Sequence, residues 1–172
     1  VKIFKTHFAT LDIRQDSRIH EKVIKSIIET YELAKQPVEN LSSEEMIKIL
    51  TETEITVSED RFEDPIVIDT IKNVKQLKKI QALNGEDGCN RYIVSNSEDI
   101  FAVLNVYGLF KFCGWKDEEI KMDIIPLFET IIGLANAESV MKTLYNLDVY
   151  SRHLKRRNNK QTIMLGFSDG TK

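Results

Sequence analysis

Four short apolar segments, separated by much longer stretches of helical periodicity, restrict this chain to a small set of folds. The segments are Phe8 to Arg14 (FATLDIR), Tyr92 to Asn96 (YIVSN), Met122 to Phe128 (MDIIPLF) and Thr162 to Phe167 (TIMLGF). Their shortness, apolar content and partial β-branching predict strands buried on both faces. Pro126 inside the third weakens its expected ladder, because proline has no N–H to donate. Between them, Ile19, Val23, Ile27 and Tyr31 share one face of a predicted helix over Ile19 to Leu33. Ser42 or Ser43 with Glu45 forms a cap signal before Met46, Ile47, Ile49 and Leu50. Pro65 opens a third helix with Ile68, Ile71, Val74, Leu77 and Leu83 as its apolar stripe. Ser97 is the expected cap of a fourth, Asp99 to Phe112, apolar on most faces, and a fifth covers Ala137 to Leu147. The acidic stretch Thr51 to Asp64 has no period and reads as a surface excursion. Strand and helix in alternation predict an α/β fold with parallel strands and right-handed crossovers. Four such units fit half of an eight-stranded barrel or an open doubly wound sheet, and periodicity does not choose between them.

Charge narrows the function. A net charge of −3 and a pI near 5.7 disfavour nucleic-acid binding, which needs a basic surface. No run reaches the roughly 18 apolar residues of a membrane helix, and the first residues lack a signal-peptide pattern. Cys89 and Cys113 stand far apart with no metal or redox spacing, and read as reduced thiols in a cytoplasmic protein. His7, His20 and His153 have no ligand spacing and read as surface groups, as does the basic run RHLKRR at 152–157. Without an initiator Met, and stopping just after an apolar run, the chain reads as cut at both ends from a longer one.

The polar residues that follow the strands carry more information. The first segment ends at Arg14, the second runs into Asn96 and Ser97, the third into Glu129 and the fourth into Asp169. In parallel α/β folds the C-terminal strand ends converge on the face that carries chemistry. A guanidinium, two carboxylates and a hydroxyl would therefore meet at one rim. Paired carboxylates suit a hard cation such as Mg²⁺ or Mn²⁺. An arginine suits a phosphate or carboxylate, and Lys172 adds a point charge nearby. Each residue also has a plain structural role open to it. Arg14 can be a salt-bridge residue, and Glu129 and Asp169 can cap the helices that follow.

Motifs sharpen this reading. Leu11 to Ser17 (LDIRQDS) resembles the DIRQ(E/D)S motif of phosphoenolpyruvate carboxylases, and His20 matches the histidine that follows it. Ile125 to Thr130 (IPLFET) is similar to the family's PLFET motif, Met164 to Lys172 (MLGFSDGTK) to M(I/L)GYSDSxKD, and Arg91 to Ser95 (RYIVS) to its YVIS strand. Phe167 replaces a tyrosine, Gly170 and Thr171 replace a serine and a small residue, and Asp16 replaces the commoner glutamate. The resemblance covers nearly the whole chain. It implies that residues 1–172 are a single piece of a modified (β/α) TIM-type barrel, about four parallel strands with extra helices.

The activity implied is carboxylation of phosphoenolpyruvate with bicarbonate to oxaloacetate and phosphate, an anaplerotic carbon fixation in the cytoplasm. By the resemblance, Glu129 and Asp169 are metal ligands for Mg²⁺ or Mn²⁺. Arg14 offsets phosphate charge as carboxyphosphate forms, and Lys172 is a further active-site group. The family's catalytic histidine lies before this segment, and its glycine- and arginine-rich loop lies after it. The chain alone is thus expected to be inactive and to self-associate through uncovered edges, while the full-length enzyme is a homotetramer. The rival readings are another barrel enzyme acting on phosphoenolpyruvate or pyruvate, and a non-catalytic interaction module of the same fold.

Overall fold

Val, Ile and Tyr concentrate in Arg91–Ser95 and Asp123–Phe128, two segments buried almost throughout, and such residues favour a pleated interior. In the computed structural model, which describes residues 10–166, these are the two central strands of a four-stranded parallel sheet. The strands are β1 (Asp12–Asp16), β2 (Arg91–Ser95), β3 (Asp123–Phe128) and β4 (Met164–Leu165), hydrogen-bonded in the order β1-β2-β3-β4. The helices are α1 (Ser17–Thr30), α2 (Ser43–Glu52), α3 (Pro65–Asn84), α4 (Phe101–Phe112), α5 (Ile131–Asn146) and α6 (Asp148–Arg156). The first strand begins later than expected, and Phe8 and Phe167 lie outside the described residues. Pro126 is accommodated, in register with Val94.

Strand order in step with chain order is consistent with the barrel architecture. A doubly wound sheet reverses its order at a switch point and carries helices on both faces. Here there is no reversal. The large core joins Tyr92, Val94, Ile124 and Phe128 to the helices, whereas the opposite sheet face contributes a separate small cluster of Ile93, Ile125 and Leu127. Helices on one face and a strand-only cluster on the other are the layering of a (β/α) barrel segment. Register Arg14↔Ile93↔Ile125 puts Arg14 on that inner face, since side chains alternate along a strand.

Local chemistry explains most element boundaries. Ser42 and Glu45 make a reciprocal capping box at α2, and Pro65 occupies the first turn of α3. Two helix caps differ from expectation. Ser97 does not cap α4, because its hydroxyl turns inward and donates to the Val94 carbonyl at 2.9 Å, while Asp99 accepts from the amides of Phe101 and Ala102. Helix α5 begins at Ile131 rather than Ala137, capped by the Thr130 hydroxyl, which accepts from Gly133 N–H at 2.9 Å. On α3, Val67 is buried and Leu83 is exposed, so the stripe ends before Leu83.

The acidic stretch is anchored to the body of the fold. Val57 is buried and its N–H donates to the Phe112 carbonyl at 2.8 Å, Thr56 bridges Cys113, and Ser58 N–H donates to the Tyr31 hydroxyl at 2.7 Å. Helix α4 is buried nearly all round, as its sequence predicts. It packs so closely on α2 that a Cβ on Gly108 would meet Leu50 Cδ2 at 2.7 Å.

Candidate active site at the strand ends

Alternation and register together bring two remote charges to one place. Arg14 faces inward from β1, and Glu129 follows β3 with the same parity as Ile125 and Leu127. Arg14 Nη2 lies 3.7 Å from Glu129 Oε2, with the guanidinium half exposed (56%) and the carboxylate nearly covered (14%). The pair is a loose contact of opposite charges, outside hydrogen-bond range. The other carboxylate oxygen is fixed, since Glu129 Oε1 accepts from Asn96 N–H at 2.9 Å. Glu129 therefore does not cap α5, a role taken by Thr130, whose hydroxyl also donates to Glu98.

Asn96 ends β2 in the left-handed region, at φ 53°. Its side-chain NH₂ donates to Asp16 Oδ2 at 2.7 Å and its carbonyl accepts from Ser17 Oγ at 2.8 Å. Asp16 is also gripped by Arg18 through Nε and Nη2, at 2.9 and 2.6 Å. Hydrogen bonds from the Arg18 side chain, then from its amide and from Asn96, hold the Asp16 carboxyl near pKa 2, well below the ordinary carboxylate range.

Beyond β3, Gly166 closes the arrangement. Its N–H donates to the Phe128 carbonyl at 2.8 Å, and a Cβ there would lie 2.4 Å from Glu129 Cβ and 2.8 Å from its Cα. Only glycine lets the end of β4 lie this close to the backbone of residue 129. Asp169 and Lys172 lie outside the described residues.

The donor chemistry available here fits a hard cation of the Mg²⁺ or Mn²⁺ type. Glu129 has one oxygen oriented by an amide and a second oxygen with no hydrogen bond among the described residues, and such ions commonly take one or two carboxylates with water and substrate oxygens completing the shell. Among the described residues there is no group of three or more His, Cys, Asp or Glu that could hold a metal ion. A cleft of about 580 Å³ opens beside the rim, between α1, α2 and α4, lined in part by Ser17, Asn96 and Thr130. Arg14 and Glu129 do not line it, so it is separate from their contact.

The other sequence candidates lie elsewhere. His20 and His153 are both buried, correcting their reading as surface groups. His20 Nε2 is 2.8 Å from the Tyr92 hydroxyl behind the sheet, and His153 packs against Tyr107 and Tyr150. The basic run is α6 and its end, where Arg157 is tied to Asp123 and Glu86. Cys89 and Cys113 are free and buried, and burial pushes the Cys113 thiol up to about 12, which makes it a poor nucleophile. No helix among the described residues is long and apolar enough to cross a membrane. Sequence reasoning named Asn96 after the second strand and Asp16 within a motif, but gave neither a role in holding the rim together. The available signal was an asparagine directly after a strand, where left-handed turn residues gather.

Comparison with known proteins gives this rim its context. The family model for phosphoenolpyruvate carboxylase matches residues 1–172. The chain belongs to the phosphoenolpyruvate carboxylase family. Curated phosphoenolpyruvate carboxylases from Synechococcus sp. and Nitrosomonas europaea are each 33% identical to it, over 100% and 99% of this chain. One from Gloeobacter violaceus is 29% identical over 100% of it. The chain spans only 17% to 19% of the length of these phosphoenolpyruvate carboxylases.

Proposed function

We propose that this chain is part of the catalytic barrel of a phosphoenolpyruvate carboxylase, which joins bicarbonate to phosphoenolpyruvate and yields oxaloacetate and phosphate. The observation that carries the reading is the meeting of Arg14 and Glu129, 115 positions apart in sequence (129 − 14), at the strand-end rim in a chain of this family. In the proposed site Glu129 would hold the divalent cation, Mg²⁺ or Mn²⁺. A bound cation of this kind acts as a Lewis acid on substrate oxygens. Arg14 takes the phosphate of the substrate, its planar fork matching two phosphate oxygens. Half exposure leaves the guanidinium free to turn from Glu129 to an incoming anion. Its charge then stays against the phosphoryl group as that group passes to bicarbonate.

Asp169 is proposed as the second carboxylate and Lys172 as a further cation on the same anion. Support for this is the position of Gly166, which lies against Glu129 and precedes Asp169 by only three residues in sequence. The setting proposed for the whole enzyme is a cytoplasmic homotetramer, in which other segments cover the exposed side chains of Ile131, Ile132 and Leu165. Expressed alone, the chain is expected to lack carboxylase activity in a malate-dehydrogenase-coupled assay.

The test uses the full-length protein, with Mn²⁺ affinity read by electron paramagnetic resonance and turnover read as oxaloacetate. Glu129→Gln and Asp169→Asn are each expected to weaken Mn²⁺ binding at least tenfold and to lower kcat. Arg14→Gln is expected to raise KM for phosphoenolpyruvate and lower kcat with little change in Mn²⁺ affinity. Wild-type Mn²⁺ affinity and turnover in Glu129→Gln would sink the assignment.

A further inference from the structure

We infer that Asn96 is the positioning residue of the Glu129 carboxylate, a hub that sets which oxygen faces the anion site; the inference rests on Glu129 being the metal ligand proposed above. Three bonds converge on this one residue. Its N–H donates to Glu129 Oε1 at 2.9 Å, its side-chain amide donates to Asp16 Oδ2 at 2.7 Å, and its carbonyl accepts from Ser17 Oγ at 2.8 Å. The ends of β1 and β3 are thereby tied through a single residue at the end of β2, which lies between them in the sheet.

The backbone makes the arrangement specific. The Leu127 carbonyl accepts from Ser97 N–H at 3.1 Å, which leaves Asn96 N–H free of the ladder and available to the carboxylate. The turn that allows this needs φ 53° at residue 96, a conformation that asparagine and glycine adopt readily and β-branched residues do not. With Oε1 fixed by a donor that cannot rotate away, Oε2 is the oxygen left toward Arg14. Partners of this outer kind typically control metal affinity or activity by about 10- to 100-fold.

The prediction separates backbone from side chain. In the full-length protein, Asn96→Val opposes the left-handed turn, and Mn²⁺ affinity by electron paramagnetic resonance is expected to fall roughly tenfold. Asn96→Gly keeps both the turn and the N–H while losing only the tie to Asp16, and is expected to stay within about threefold of wild type. If Asn96→Val does not fold, Asn96→Ala takes its place, with a smaller loss expected in the same direction and the same rescue by glycine. Overall loosening of the protein would move the melting temperature of both variants without ordering their Mn²⁺ affinities in this way. Wild-type Mn²⁺ binding in both Asn96→Val and Asn96→Ala, alongside a defective Glu129→Gln, overturns the hub alone. A glycine variant as weak as the valine variant also overturns it. Unchanged binding in Glu129→Gln removes the metal-ligand reading, and the hub with it.

Discussion

Burial of an imidazole leaves a pH signature. His20 and His153 are each held near pKa 4, chiefly by desolvation, with the positive charges of Arg156 and Arg157 adding to the effect at His153. Because these values lie below the ordinary 6.5, the unfolded chain binds more protons between pH 6.5 and 4. Stability from these groups is therefore present above about pH 6.5 and is lost as pH falls toward 4. Each contributes on the order of 3 kcal/mol to that loss, which is complete only once pH falls below the folded value near 4. Replacing His20 by Gln is expected to flatten the acid limb of a urea-unfolding series between pH 6.5 and 4.5, and a slope equal to wild type would refute this. Asp16, held low by Arg18, acts only below its ordinary carboxylate value, so the two effects fall in different windows. From sequence His20 looks like a surface group because its partner is Tyr92, on another strand. The helical period still held a clue, since position 20 falls on the same face as Val23, Ile24 and Ile27, which are all buried.

Element contacts are set by a few close approaches. At β3–β4, Gly166→Ala would drive a Cβ into the backbone of Glu129, where no flexible side chain can yield. We expect about 1–3 kcal/mol of destabilisation, with kcat/KM of the full-length enzyme reduced at least tenfold; native kinetics would show that the strand ends can separate freely. At α5, Thr130→Ala removes the acceptor for Gly133 N–H and is expected to cost about 1 kcal/mol by chemical denaturation. Strand existence and most helix faces were legible in the sequence, because two-sided burial and 3.6-residue periodicity are local patterns. The start of α5 was not legible, since Gly133 interrupts its first turn and Ile131, Ile132 and Leu134 point away from the core. The anchoring of the acidic stretch depends on Phe112 and Cys113 from a distant helix end, and no local pattern encodes that.

For the whole molecule, the described residues expose apolar side chains on the β4 flank of the sheet. Ile131 (85% exposed) and Ile132 (60%) in the first turn of α5 and Leu165 (66%) in β4 are uncovered among the described residues, and β4 has no described neighbour beyond it. Apolar surface beside an open strand edge invites pairing with another chain. The 172-residue chain alone is expected to sediment above monomer mass, and charged replacements of Ile131 and Ile132 to shift it toward monomer. A single monomeric species at high concentration would argue against this. The choice between barrel and open sheet was likewise beyond the reach of periodicity, because it depends on strand order, whereas the DIRQ, PLFET and SD motifs pointed to the barrel through family likeness. The long crossover from β1 to β2, which contains α1, α2 and α3, has one more consequence. During synthesis β1 emerges well before its partner exists. Asp12, Arg14 and Asp16 put a charge at every second position of that waiting strand, and charges so placed discourage wrong partners. Charges at the heart of the rim thus also discourage mispairing of β1 along the edge that β2 will occupy, until β2 leaves the ribosome.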